Sequence, residues 1–452
     1  MADHDLLTLG RRVVGQARAG EQVEAYVARA RETGIKVFDG DVESLSVAET
    51  DGVGVRVLVD GRQGYAWAGS LDADVVAETI EDARDNARFG APDEWQTLAG
   101  PGDVAGDVAP QMDLWRDELL TVPTSDKVAL ALELDAATRA VDPRVRGVET
   151  SAYGDTAVES AVVNSLGIEA ASRRTACSCA AYALAGEGEG TQTGYGFSVG
   201  RAFAELDPSV AARDAAGRAV RLLGAQQPRS RRLHVVLDPL VTRSVLAIVG
   251  AALNGESVLK GRSMFVGREG EQIAAPAVTL VDDPTIADSY GAATHDSEGV
   301  PTRRNDLVVD GVLRGFLHNV YTGRRSGHGT TGSAIRAAFK STPGVGARAL
   351  ALTPGEKSPD EILASVPEAL YVQSVSGLHS GTNPVSGDFS VGAEGLMVRG
   401  GAFAEPVREV TIASTLPRML QAIAEIGSDL TWLPGGAAGV TLLIDEMTLS
   451  GA

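Results

Sequence analysis

Cysteine is nearly absent: the 452 residues hold two, Cys177 and Cys179. Spaced i, i+2, they fall on one face of a strand, and one such pair builds no disulfide framework; two small buried thiols are the expectation. Aromatic residues are 5% of the chain while glycine numbers 53, so the core is expected to rest on Ala, Val and Leu linked by many tight turns. Basic residues fall short of acidic ones, 40 against 60, which leaves a net charge of −20. A field of that sign repels phosphate backbones and sets nucleic acid aside as a partner. The longest apolar helical run, Val245 to Leu253, is nine residues, where a membrane span needs about 20. The opening MADHDLLTLGRR lacks the basic region and apolar stretch of a secretory signal. These absences predict a cytoplasmic protein with neither nucleic acid nor membrane as partner.

Recognisable catalytic patterns are missing too. The histidines are His4, His234, His295, His318, His328 and His379; no two stand at i, i+4, and none is followed by Glu. A helical zinc site needs such spacing to bring imidazoles to one face. His318 and His328 flank Arg324 and Arg325, whose charge discourages a cation. The Gly-x-Ser-x-Gly match at Gly196–Gly200 runs through the end of an expected strand with no helix directly after it, so no nucleophile elbow is expected. The glycine-rich GEGEGTQTGYG (186–196) has no following Lys-Ser or Lys-Thr and reads as a hairpin tip rather than a phosphate loop. Asp282-Asp283 and Asp296-Ser297-Glu298 can form carboxylate pairs or bind a cation, but strand-end turns of that composition are read here as solvated. By its residues alone the chain carries no convincing catalytic constellation.

What is present is a well-patterned α+β chain. Alternating apolar and polar runs after residue 22 are punctuated by turn signals at Glu32–Gly34, Asp39-Gly40, Asp51-Gly52 and Asp60-Gly61. A helix follows and ends at Gly90, where a C-cap glycine belongs. Past a Pro/Gly/Asp-rich connector near 100–112 the pattern recurs: a helix opened by Ser125 with Asp126, strands from Val145 to Val199, and a helix over 208–223. Both halves carry Val-Glu-Ser early in their strands and end the last strand on a Gly-Tyr pair, "GYAWAG" and "GYGFSVG", a weak sign of internal duplication. We therefore expect a unit at 1–110, a middle unit at 111–228 that repeats the first, and a β-rich C-terminal domain at 229–452. In that domain the helix LVTRSVLAIVGAALNG is apolar nearly all round and is expected to be buried on all sides. LPRMLQAIAEIG reads as a second helix, and DLVVDGVLRGFLHN as a hairpin turning at Asp310-Gly311. Runs of strands with segregated helices argue for α+β rather than alternating βαβ.

Two long ordered runs carry a resemblance: Glu298-Gly299-Val300-Pro301-Thr302-Arg303-Arg304, and Asn383-Pro384 with Gly387-Asp388-Phe389-Ser390 and Gly392-Ala393. With their flanks they resemble the TldD/PmbA family, within it the PmbA (TldE) branch, and the likeness extends to the two N-terminal units. The resemblance implies a two-subunit metalloprotease system. Its TldD-type subunit carries His-Glu-x-x-x-His on a helix of the C-terminal domain and a cysteine near the C-terminus. Aligned on the family's Val-Gly pair, Leu246 stands for the first His, Ala247 for the Glu and Ala251 for the second His, and no Cys follows Cys179. Imidazole lone pairs and a carboxylate base are then missing. The resemblance thus implies a non-catalytic subunit that binds no cofactor itself, with zinc in a TldD-type partner, peptides as substrates, and a possible homodimer in isolation.

The glycine-rich GLHSGTNPVSGDFSVGAEG (377–395) is then expected along an inter-subunit cleft, with His379, Asn383 and Asp388 as polar contacts. Equally, Asn383 and Asp388 can cap the loop's own amides. Arg303 and Arg304 can pair with carboxylates of a partner or substrate, or lie solvated at a strand entry. Two other readings stay open: a stand-alone peptidase with a metal site of His379, Asp388 and His318, and a regulatory protein-binding module without proteolysis.

Overall fold

Very long strands dominate the first half. The structure, a computed structural model, describes residues 5–104, 106 and 108–452, so the sequence readings at Met1–His4 and at connector residues 105 and 107 lie outside the described residues. Helix α1 (Leu6–Val14) leads into β1 (Gln22–Phe38), β2 (Asp41–Val59), β3 (Arg62–Ala68) and helix α2 (Ala73–Phe89). Asp39-Gly40 and Asp60-Gly61 make tight turns, with φ of 50° and 80°, and 49° and 71°. That mirror-image geometry matches the twist of paired strands. The other two expected turns do not form. Glu32–Gly34 runs inside β1 and Asp51-Gly52 inside β2, in unbroken antiparallel register. Gly52 answers to packing instead: a Cβ there would collide with the Phe339 ring.

The middle unit repeats this build with α3 (Asp117–Thr121), α4 (Thr124–Val141), β4 (Val145–Asn164), β5 (Glu169–Ala185), β6 (Gln192–Gly200) and α5 (Pro208–Arg221). α4 begins at Thr124 behind Pro123, one residue before the expected Ser125. All six strands join in one sheet, ordered β3-β2-β1-β4-β5-β6, with β1 and β4 antiparallel at its centre. The Gly-Tyr pairs do the same physical work in each half. A Cβ on Gly64 would strike the Ala83 carbonyl of α2, and one on Gly194 the Ala215 carbonyl of α5, so only glycine lets helix backbone lie that close to strand. Gly90 does follow α2, but with extended φ of −61° and ψ of 143° rather than a left-handed cap.

The rest of the chain runs β7 (Arg231–Leu237), α6 (Pro239–Ala252), α7 (Gly255–Leu259), β8 (Leu280–Asp282), β9 (Asn305–Val309), β10 (Val312–Leu313), α8 (Val320–Ser326), β11 (Ala334–Ile335), β12 (Gly344–Val345) and β13 (Leu350–Leu352). It continues with α9 (Pro359–Ala364), β14 (Glu368–Ser376), α10 (Leu378–Gly381), β15 (Asp388–Arg399), β16 (Ala402–Thr415), α11 (Leu416–Gln421), β17 (Ile423–Ile426), β18 (Thr431–Trp432), β19 (Ala438–Gly439) and β20 (Leu442–Ser450). The order β16-β15-β14-β7-β20 closes on itself, because Thr411–Ala413 of β16 pair with Ser450–Thr448 of β20. The short β17 is added on β20 and is left as an edge of this sheet. The expected second helix is only half helical: it ends at Gln421, and Ile423–Ile426 pair with β20 instead, where Ile423 and Ile426 are buried in the same core. The mixed α+β class holds. Among the described residues no helix is long and apolar enough to cross a membrane.

Candidate functional site

Helix α6 carries the positions aligned with the family's metal motif. Asp238 caps it by accepting the Leu240 N–H at 2.9 Å, and Pro239 fills the first turn. Val241, Val245, Leu246, Val249 and Ala252 point into the barrel core beside Met419 and Ile444. Leu246 is 2% exposed. The opposite face is open, which corrects the expectation of a helix buried all round: Ala247 and Ala251 are exposed. They lie one turn apart and line a cleft of 270 Å³ with Arg243, Asn254, Gly346 and Gly436. None of its lining residues is His, Cys, Asp or Glu. The cleft offers zinc no imidazole, thiolate or carboxylate ligand, and Arg243 adds a positive charge, so the residues present do not fit the metal.

The glycine-rich loop holds itself. Asn383 Oδ1 accepts the N–H groups of Val385 at 2.9 Å and Ser386 at 3.3 Å, and Asp388 Oδ2 accepts the Ser386 hydroxyl at 2.6 Å. Gly377 and Gly387 sit at φ of 74° and 80°, conformations that favour glycine. The loop is tied to the barrel by Met264 N–H to Pro384 O at 3.0 Å and Leu416 N–H to Gly387 O at 2.7 Å. His379 is exposed on α10. No residue of 377–395 lines the α6 cleft. Arg303 donates to the Thr330 carbonyl, and Arg304 pairs with Asp306 at 2.9 Å in solvent.

His318 is buried, its ring stacked on that of His328 at 6.0 Å, with Nδ1 3.2 Å from the Thr322 hydroxyl. Burial, and then the neighbouring His328, push its pKa down to about 4. Among the described residues no three His, Cys, Asp or Glu side chains assemble as a metal-binding group, so His318, His379 and Asp388 are not brought together as one. Cys177 and Cys179 are free and buried, and burial raises their pKa values to about 12 and about 11.

The acidic clusters read as solvated are instead buried, and one of their members, Glu298, joins the seam between the N-terminal sheet and the barrel domain. Glu24 on β1 accepts Arg56 Nη2 at 2.6 Å and also pairs with Arg336. Arg56 reaches on to Glu298 at 3.2 Å, and the other Glu298 oxygen accepts the Val320 N–H of α8 at 2.9 Å. Asp296 accepts N–H groups from Glu298, Val300 and Ala334 at 2.8, 3.0 and 3.0 Å. Burial would raise Glu24, yet Arg336 and Arg56 hold it below the ordinary range. Burial raises Glu298, and burial with the Glu298 charge pushes Asp296 up to about 7. Asp282 is likewise enclosed, accepting the Arg348 and Ala349 N–H groups at 2.9 and 2.7 Å, and burial raises it to about 6. Composition did not reveal this, because Arg56, the charged partner of Glu298, lies on β2, 242 positions away. The one sequence signal was the ordered run 298–304 itself.

A long-stranded sheet locked by buried charge onto a closed barrel, with a helix presenting one open face, is the scaffold of a class of metallopeptidase-related proteins. Residues 23–87, 117–223 and 230–451 match, in order, the models of domain 1, the central domain and the C-terminal domain of the PmbA/TldA metallopeptidases. The chain belongs to the PmbA/TldD family. It is 27% identical to Metalloprotease PmbA of Escherichia coli O157:H7 over 96% of this chain and 93% of that one. A Thermotoga maritima protein, named as a candidate modulator of a DNA gyrase, superposes with a TM-score of 0.90 at 25% identity and covers 98% of this chain and 99% of its own. TldE from Thermococcus kodakarensis gives 0.87 at 22% identity over 99% of each chain, a likeness of fold.

Proposed function

We propose that this chain is the non-catalytic, PmbA/TldE-type subunit of a cytoplasmic zinc metallopeptidase pair. It would shape the chamber around the active site of a TldD-type partner that cuts unfolded or small peptides. The observation that carries the reading is the open face of α6: Ala247 and Ala251 look onto a cleft whose lining holds no metal-ligating side chain and no carboxylate base. The zinc and the base then belong to the partner. A docking edge is available, since β2 from Asp41 to Thr50 is exposed and has no strand on its outer side, with Val42, Leu45 and Val47 uncovered. The same edge lets the isolated chain pair with a copy of itself.

The test is metal content by mass spectrometry with peptidase activity, on the chain alone and co-purified with a TldD-type subunit. The expected result is a lone chain free of metal and inert, with zinc and activity in the complex. Stoichiometric metal in the lone chain overturns the reading. A pull-down that recovers a partner but no TldD-type subunit replaces it with the regulatory-module reading.

A further inference from the structure

A second cleft, of 540 Å³, opens where the connector Gln111–Trp115, strands β4 and β5 and the segment Ala292–Ser297 meet. In a chain of net charge −20 its wall is arginine-rich, with Arg173, Arg174, Arg336 and Arg348. The acids on the same wall are Asp113 and Asp296. Asp113 is taken by Arg116 at 2.9 Å, Arg336 by Glu24, and Arg173 lies over the Trp115 ring at 5.4 Å. Asp296 already accepts three backbone N–H groups and is held towards its neutral form by burial.

Arg174, exposed on β5, and Arg348 remain without a carboxylate pair among the described residues. Arg348 Nη2 donates to Ser297 Oγ at 3.1 Å and to the Ala334 carbonyl at 3.0 Å, while its Nε is buried with no acceptor; Nε and Nη1 of Arg336 behind it are unsatisfied too. Burial lowers the pKa of Arg348; the Asp296 and Asp282 charges act against that, while the Arg174 charge pushes the same way as burial, so the two cations feel one another. Buried donors left unpaired are costly unless an acceptor arrives. A guanidinium pair suits a planar oxyanion, and Leu114 with Trp115 gives the adjoining wall an apolar surface.

We propose that this cleft is an anion site that takes the terminal carboxylate of a peptide between Arg174 and Arg348, with the last side chain against Leu114 and Trp115. The peptide as bearer of the carboxylate rests on the proposed function; the anion site rests on the arginines alone, without a metallopeptidase partner.

The experiment is calorimetric titration of the full chain, without partner, with an acetylated tripeptide ending in leucine, its C-terminal amide, and inorganic phosphate. The free acid is expected to bind, the amide to bind at least about tenfold more weakly, and phosphate to compete weakly. Arg174→Gln, at an exposed strand position, should fold normally and lose about tenfold, with Arg174→Lys recovering part. Equal binding of acid and amide, or unchanged binding by Arg174→Gln, overturns the site. Phosphate binding as tightly as the peptide overturns the peptide assignment in favour of a small oxyanion. If neither acid nor phosphate binds, the site is refuted while the metal measurement on the complex stands untouched.

Discussion

The two clefts of this molecule differ in what lines them. The cleft on α6 is walled by small and apolar residues around Arg243 and Asn254. The cleft at the domain seam is walled by arginines and sits over a buried network of acids. One cleft is lined without acidic or histidine side chains, and the other gathers charge where the sheet meets the barrel. Charge buried at a seam does work only while every partner is in place, so the contrast can be broken by mutation.

The largest effect should come from Glu24→Ala, which leaves Arg336 buried without its carboxylate and Arg56 with Glu298 alone. A loss of about 3–5 kcal/mol is expected in urea denaturation; a loss below about 1 kcal/mol would show that the seam network is dispensable. On α6, Leu246→Ala should cost about 2–5 kcal/mol. Ala251→His, one turn away on the open face, should stay within about 0.5 kcal/mol and recruit no metal. Equal damage from both would abolish the distinction between the two faces.

The pH response sharpens the comparison. Asp296 rises from 3.8 to about 7 and Asp282 from 3.8 to about 6. Both bind a proton more tightly when folded, so their contribution is complete below the unfolded value and is lost as pH rises through the folded one. His318, lowered from 6.5 to about 4, acts in the opposite sense: its contribution is full above 6.5 and is lost as pH falls through about 4. Asp296→Asn should therefore flatten the stability decline between pH 4 and pH 7, read from denaturation midpoints across that range. A variant that loses more stability than the parent on going to pH 8 would contradict this. A modest effect is expected at the glycine-rich loop, where Asn383→Ala removes two side-chain hydrogen bonds and should lower stability by about 1 kcal/mol in the same assay.

Local features were readable in the sequence. The turns at Asp39-Gly40, Asp60-Gly61 and Asp310-Gly311 have the positive φ that their residues suggest. The pattern misled where packing overrides local preference. Asp51-Gly52 looks like a turn, but its glycine makes room for a ring from residue 339. Helical periodicity around 416–427 gave way at Ile423, because the barrel needed a strand there. The acids at 282 and 296–298 looked like solvated turns, since nothing nearby in sequence announces Arg56 or Arg336. For the candidate site, the absence of His and Glu on α6 was legible. The open face of that helix was not, because an apolar helix reads the same whether alanine meets core or solvent.

What the sequence by itself determined is whatever depends on neighbours a few positions apart: hairpin turns, strand alternation, the missing His-Glu pattern, and the ordered runs at 298–304 and 383–393 that mark the family. What only the tertiary structure decided is whatever joins distant segments: the closure of β16 on β20, the salt link from Arg56 to Glu298 across 242 positions, and the arginine-lined cleft beside it. The physical reason is that burial sets the meaning of a charge. Burial is a property of the assembled fold, which no local window of residues contains.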